Sequence, residues 1–444
     1  MKETLIRNAR MVNEGQITEG DLLIRDGRIE QIGGDLGAAS ATQVLDAGGR
    51  LLLPGMIDDQ VHFREPGATH KGDIHTESRA AVAGGITSFM DMPNTKPLTV
   101  TLEALEDKYA LAAEKSLANY AFYLGATNDN IDVIRALDPR QACGIKVFMG
   151  ASTGNMLVDR EAALEAIFRD APVLVATHCE DTPIIQANEQ AYREKYGEDV
   201  PMACHPKIRS AEACVKSSSF AIGLAKRHDT RLHVLHLSTA QEMALFEAGV
   251  LDGKRITAEA CVHHLYFDEA DYGEKGALIK CNPAIKTRTD RDALRQAVID
   301  GRIDVIGTDH APHTLAEKGN PYFGAPAGLP LVQYALPMLL ELYHAGLFSL
   351  ELIVEKAAHG PARLFDVAER GYLREGYWAD LVLVDLDNPH RVVRDEVLYK
   401  CGWSPLEGRT LRSAIHSTFV NGHRVYHQGV LDEGAGGQRL QFSR

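Results

Sequence analysis

Short runs in which apolar and polar residues alternate occupy positions 4–12, 21–24, 28–32 and 43–45, with Asp26-Gly27 as a tight-turn pair between two of them. This period of two predicts half-buried strands. The rhythm returns only near the other end, at 381–384 and 417–426. Chain ends of a compact unit often lie close together. Residues 1–52 and 370–444 are therefore expected to build one small β-sandwich domain around a large insertion.

The insertion, residues 53–369, has a different pattern. Eight apolar, β-type runs lie at 51–62, 86–92, 120–125, 144–149, 172–178, 232–237, 256–262 and 303–309. Amphipathic stretches at 101–118, 159–170, 211–226, 240–248 and 290–300 fit helices between them, several opening on a capping Asp, Ser or Thr. Strands alternating with helices predict a parallel sheet, and eight repeats predict an α/β fold of the (β/α)₈ TIM-barrel type. Further helices at 331–347 and 352–365 would cover its outside. Neither a G-x-G-x-x-G turn nor a P-loop is present.

Composition narrows the chemistry. The 444 residues carry a net charge of -14 and no Lys/Arg-rich block, so the positive field that nucleic acid or an anionic membrane requires is missing. Seven cysteines at 143, 179, 204, 214, 261, 281 and 401 never form a C-x-x-C pair, which fits a reducing cytoplasm. No apolar run approaches the roughly 18 residues of a membrane span, and the opening Met1-Lys2-Glu3-Thr4 reads as strand, not as a targeting segment.

The informative feature is how the strand-like runs end. They finish in His62, Lys146, His178, His236 and Asp309, on the barrel face where such folds place their sites. Singly, each has an ordinary reading: a capped loop histidine, a snorkelling lysine, an aspartate opening a turn. Together they converge on one mouth, as a metal site would. Zinc polarises a carbonyl and lowers the pKa of bound water to about 7, and imidazoles and carboxylates suit it as ligands. An ammonium does not, so Lys146 could join them only as a carbamate made with CO₂, a two-oxygen anion able to bridge two metal ions, in a site for one or two zinc ions per chain. Asp309 could then also serve as general base. Arg64 lies two residues beyond His62, so on an extended backbone both project from one face. Its planar guanidinium can grip a carboxylate beside the metal.

The segments 55–67 (GMIDDQVHFREPG), Met92-Pro93-Asn94-Thr95 and Gly307-Thr308-Asp309-His310-Ala311-Pro312-His313 resemble motifs of the amidohydrolase superfamily. Within it the resemblance is to the longer, sandwich-bearing dihydroorotases, and it covers essentially the whole chain. It implies zinc held by His62, His178, His236 and Asp309, with carboxylated Lys146 as bridge and Asp309 as catalytic base. It also implies a substrate carboxylate bound by Arg64, Asn94 and His313, with Asn282 and the backbone of Ala327 and Gly328 against the ring. The implied reaction is reversible opening of dihydroorotate to N-carbamoyl-aspartate in pyrimidine synthesis, by a cytoplasmic homo-oligomer with a small-molecule substrate. The alternatives are a hydantoinase or allantoinase, which needs no carboxylate clamp, and an inactive partner of a carbamoyltransferase. One position departs from the pattern: Gln60 stands where the superfamily has the first histidine of a His-x-His, and an amide oxygen is a weaker zinc ligand than imidazole. His263 and His264 are expected to be structural, as strand neighbours facing opposite ways.

Overall fold

The computed structural model of the chain describes residues 3–37, 43–150 and 156–444, and in it the two strand-rich ends meet in one nine-stranded sheet. Its order is Val430–Leu431, His423–His427, Ala414–Val420, Leu381–Asp385, Leu51–Pro54, Glu3–Asn13, Gln16–Arg25 and Arg28–Gly33. Gln43–Asp46 pairs in parallel with Glu3–Asn13. Asp26 and Gly27 form a two-residue hairpin between Arg25 and Arg28, with φ of 49° and 85°, the positive pair that such a turn needs.

The central strands are buried on both faces. Leu52, Leu381 and Leu383 join Ile6, Leu22 and Phe419 in the core of the sheet domain. Leu51, Leu53, Val382 and Val384 face the other way, into the main core that the barrel provides. Such strands read as unbroken apolar runs. That is why the run at 51–62 reads as one strand when it is two: Leu51–Pro54 belongs to the terminal sheet, and Met56–Val61 is the first strand of the barrel. The break is at Gly55, whose N–H donates to Asp380 O at 2.8 Å. A Cβ there would lie 2.1 Å from Thr87 Oγ1, so only glycine fits without displacement. We expect Gly55→Ala to cost about 1–3 kcal/mol, as overpacking of a close-packed interior does. A urea midpoint unchanged from wild type would refute this account of the crossover.

The barrel strands are Met56–Val61, Ile86–Asp91, Asn119–Phe122 with Leu124–Gly125, Ile145–Phe148, Val175–His178, Leu232–Val234, Ile256–Cys261 and Val305–Gly307, all paired in parallel. The ring closes where Val61 bridges His310 and the His62 N–H donates to His310 O at 2.7 Å. The helix expected at 240–248 is only a 3₁₀ turn, Gln241–Leu245. There Glu242 is drawn inward to Ser218 and Thr239, and Arg302 takes the carbonyl of Phe246 at 2.6 Å, so side chains satisfy what a helical ladder would. The stretch at 331–347 shortens to Ala335–His344 behind a 3₁₀ turn, and 352–365 divides into Leu350–Val354, a π-helical turn and Gly360–Leu364.

Besides several short ones, two helices of ten residues or more lie outside the sequence expectations. Ile74–Ala83 starts on an Asp73 capping box. Thr182–Tyr196 buries only Ile185, and so shows no apolar stripe. His263 and His264 are not on a strand either: the strand stops at Cys261, and a short helix, Val262–Tyr266, brings the two rings to 4.1 Å between centroids. The last residues run back along the barrel, where Leu440 and Phe442 pack with Tyr123 and Phe365. Among the described residues no helix is long and apolar enough to cross a membrane.

Candidate active site

Five of the eight barrel strands deliver side chains to one place at their carboxyl ends. Gln60, His62 and Arg64 come from the end of strand one, Lys146 and Phe148 from strand four, His178 from strand five and His236 from just beyond strand six. Asp309 and Ala311 follow strand eight. With Asn282, Ala327 and Gly328 from later loops they enclose one cavity of about 30 Å³. A larger cleft of about 980 Å³, between Gly249 and Arg374, holds none of these groups. Arg64, His236 and Asp309 have φ of 68°, 40° and 48°. Left-handed backbone at three non-glycine residues of one site is the kind of strain that folds keep where a side chain must be aimed.

The donor set fits a cation. Asn94 Oδ1 accepts from His62 Nδ1 at 2.8 Å, which fixes the proton there and leaves Nε2 with a lone pair. That lone pair faces Asp309 Oδ1 at 3.0 Å, an acceptor opposite an acceptor. His178 Nδ1 and His236 Nε2 converge at 3.0 Å. Burial lowers the pKa of both rings, so both are held neutral, as metal ligands must be. His178 Nε2 contacts Glu180 Oε2 at 3.1 Å. Burial is the largest influence on the Glu180 carboxyl and disfavours its charge, but Arg209, 2.7 Å away, with His178 and Lys286 together outweigh it and hold the carboxyl down to about 2. Lys146 is 1% exposed, and among the described residues it has no hydrogen bond or ion pair; its ammonium lies over the Phe148 ring at 4.7 Å. Burial pulls its amine down to about 8, against the opposing pull of Asp309 and Glu259. His62, His178, His236, Asp309 and a carbamate on Lys146 could thus hold metal.

Gln60 does something else. Its Nε2 donates to Asp309 Oδ1 at 3.1 Å, and its Oε1 faces the Cys261 thiol at 3.8 Å. Gln60 lines the cavity and through Nε2 orients Asp309.

On the far wall Arg64 Nε donates to Pro312 O at 3.1 Å, and Nη2 lies 3.1 Å from His313 Nε2. His313 is buried, not solvent-facing. Its Nε2 reaches Ala327 O at 3.0 Å and its Nδ1 meets the Lys71 ammonium at 3.0 Å. Burial, then the positive charges of Arg64 and Lys71, drive its pKa far down, so it is neutral. The Gly328 N–H is spent on Lys280 O at 2.8 Å. Asn282, with its amide turned to satisfy both ends, accepts from Arg209 at 3.2 Å and donates to Cys281 O at 2.9 Å. Asn94 and His313 therefore sit one contact behind the cavity wall, on His62 and Arg64. Lys71, Glu180 and Arg209 are absent from the sequence reading. Of these only Glu180, two residues past His178, carries a signal in the chain.

The model of the amidohydrolase family matches residues 51–425. A dihydroorotase of Halobacterium salinarum is 35% identical over 410 residues, spanning 90% of this chain and 92% of that protein. An allantoinase of Solibacter usitatus is 32% identical over 453 residues, spanning 99% and 97%. Among solved structures, an L-hydantoinase from Arthrobacter aurescens superposes with a TM-score of 0.94 at 29% identity, covering 99% of this chain and all of that one. The family match spans the barrel whose strand ends build the cavity. The chain belongs to the amidohydrolase family.

Proposed function

We propose that the protein opens the six-membered ring of dihydroorotate reversibly, giving N-carbamoyl-aspartate. The observation that carries this reading is the Arg64 guanidinium, which shares the cavity with His62 and Asp309 and can bind the substrate's carboxylate. Zinc, when bound, polarises the ring carbonyl and brings water close to ionisation at neutral pH. His62, His178, His236 and Asp309 would hold it, together with a carbamate on Lys146. Arg64 fixes the carboxylate, and Asn282 and Ala327 lie against the ring. Asp309 takes a proton from water as oxygen adds to the carbonyl carbon, then gives it to the ring nitrogen as the C–N bond breaks. Gln60 and Asn94 keep Asp309 and His62 oriented through these transfers.

The likeness to L-hydantoinase favours a second reading, a hydantoin- or allantoin-opening enzyme that needs no carboxylate clamp. The two separate in one assay. Zinc-loaded protein should turn over dihydroorotate and N-carbamoyl-aspartate, lose that activity on chelation and regain it with zinc. Rapid opening of hydantoin or allantoin with dihydroorotate untouched would replace the first reading by the second. Inactivity on all three, together with binding to a carbamoyltransferase, would favour a structural role.

A further inference from the structure

Below the cavity the barrel interior contains a second polar cluster. Asp59 from strand one, His233 from strand six and Glu259 from strand seven are each 0% exposed, and one ligand atom of each lies within 4.8 Å of the others. The Thr257 hydroxyl gives its proton to Leu232 O at 3.2 Å, so it accepts from His233 Nδ1 at 2.8 Å. That leaves a lone pair on His233 Nε2, which faces Asp59 Oδ2 at 3.3 Å without forming a hydrogen bond. Both oxygens of Asp59 and Oε2 of Glu259 are likewise buried without a hydrogen-bond partner. Among the described residues neither carboxylate has an ion pair with lysine or arginine.

Four acceptor atoms therefore face one another in a space closed to solvent. Bare carboxylates buried in this way are costly unless a proton or a cation lies between them, and burial together with the Asp59 charge pushes the Glu259 carboxyl well above its usual range. The geometry suits a metal. A separation of 3.3 Å is what two ligands on a tetrahedral zinc show, given bonds of about 2.0–2.1 Å. The Nδ1 hydrogen bond to Thr257 is the kind of outer support that orients a ligating imidazole. Gly307 leaves the room: a Cβ there would stand 2.8 Å from Glu259 Oε2 and 2.9 Å from Asp59 Oδ1.

We propose that Asp59, His233 and Glu259 form a sealed structural site for a zinc-class divalent cation, distinct from the cavity metal. It ties strands one, six and seven together directly beneath the cavity, because Glu259 Oε1 also accepts the backbone N–H of His236 at 2.8 Å. With no open path to solvent, the ion enters during folding and exchanges slowly.

The test uses the wild-type protein. Crystals of zinc-grown protein, measured on both sides of the zinc absorption edge, should show an anomalous peak bonded to these three side chains. Density without anomalous signal, as a buried water gives, or no density at all, as a shared proton leaves, would overturn the proposal. In solution, brief chelation should strip the cavity metal and leave one slowly exchanging metal per chain. Glu259→Gln and His233→Gln should each lose that metal while the cavity still binds zinc. Metal content unchanged in both variants would also overturn it. A cavity that holds no metal above an occupied lower site would count against the proposed reaction and not against this one.

Discussion

Asp309→Asn should lower kcat for dihydroorotate opening by about 10³-fold, within the roughly 10²–10⁴-fold range that a positioned acid–base group supplies. Its circular dichroism spectrum and thermal midpoint should stay near wild type. Asparagine can keep an oxygen where Gln60 Nε2 donates at 3.1 Å, so that hydrogen bond can survive. What it cannot do is receive a proton from water and return it to the ring nitrogen. Asp309→Ala should lose at least as much turnover, and in addition it strands the Gln60 amide in a buried site. Because Asp309 also stands among the ligand-competent groups, metal content must be measured with the rate. A variant that retains its zinc and turns over within tenfold of wild type would remove Asp309 as the base.

The strand ends were legible because the barrel imposes its own convergence. Once residues 62, 146, 178, 236 and 309 are placed at the carboxyl ends of parallel strands, closure of the ring brings them together whatever the loops do. The cavity wall reflects this, with Gln60, Lys146, His178, His236 and Asp309 all on it. The loops were less readable. Lys71 reaches His313 and Arg209 reaches Glu180 from segments whose course no periodicity encodes. The hydrogen bond from Gln60 to Asp309 depends on a rotamer, and sequence gives the residue but not its rotamer. The first strand boundary was hidden for another reason: strands buried on both faces lose the alternation that marks an edge, and Gly55 became a signal only once Thr87 was seen against it. Asp59, His233 and Glu259 each look ordinary in the chain, because only the layering of side chains inside the barrel makes them neighbours.

Arg64→Met should separate the two substrate classes more sharply than any other single change. The guanidinium spends Nε on Pro312 O and rests Nη2 near His313, which holds its plane fixed and leaves further N–H groups toward the cavity. Those are free to meet a carboxylate in two parallel hydrogen bonds. Hydrogen bonds to charged groups are worth about 1.5–3 kcal/mol each, so losing two should lower kcat/KM for dihydroorotate by roughly 10²–10⁴-fold. Methionine keeps much of the side-chain volume, so the strand end and His62 should stay in place. Hydantoin has no carboxylate for Arg64 to bind, and its opening should change by no more than about threefold, within the spread of ordinary surface substitutions. Arg64→Lys should recover only part of the loss, because a point charge cannot reproduce the planar fork. Equal losses on both substrates would mean that Arg64 supports the site's structure and does not select its substrate. The carboxylate clamp would then fall, and with it the preference for dihydroorotate over the hydantoins.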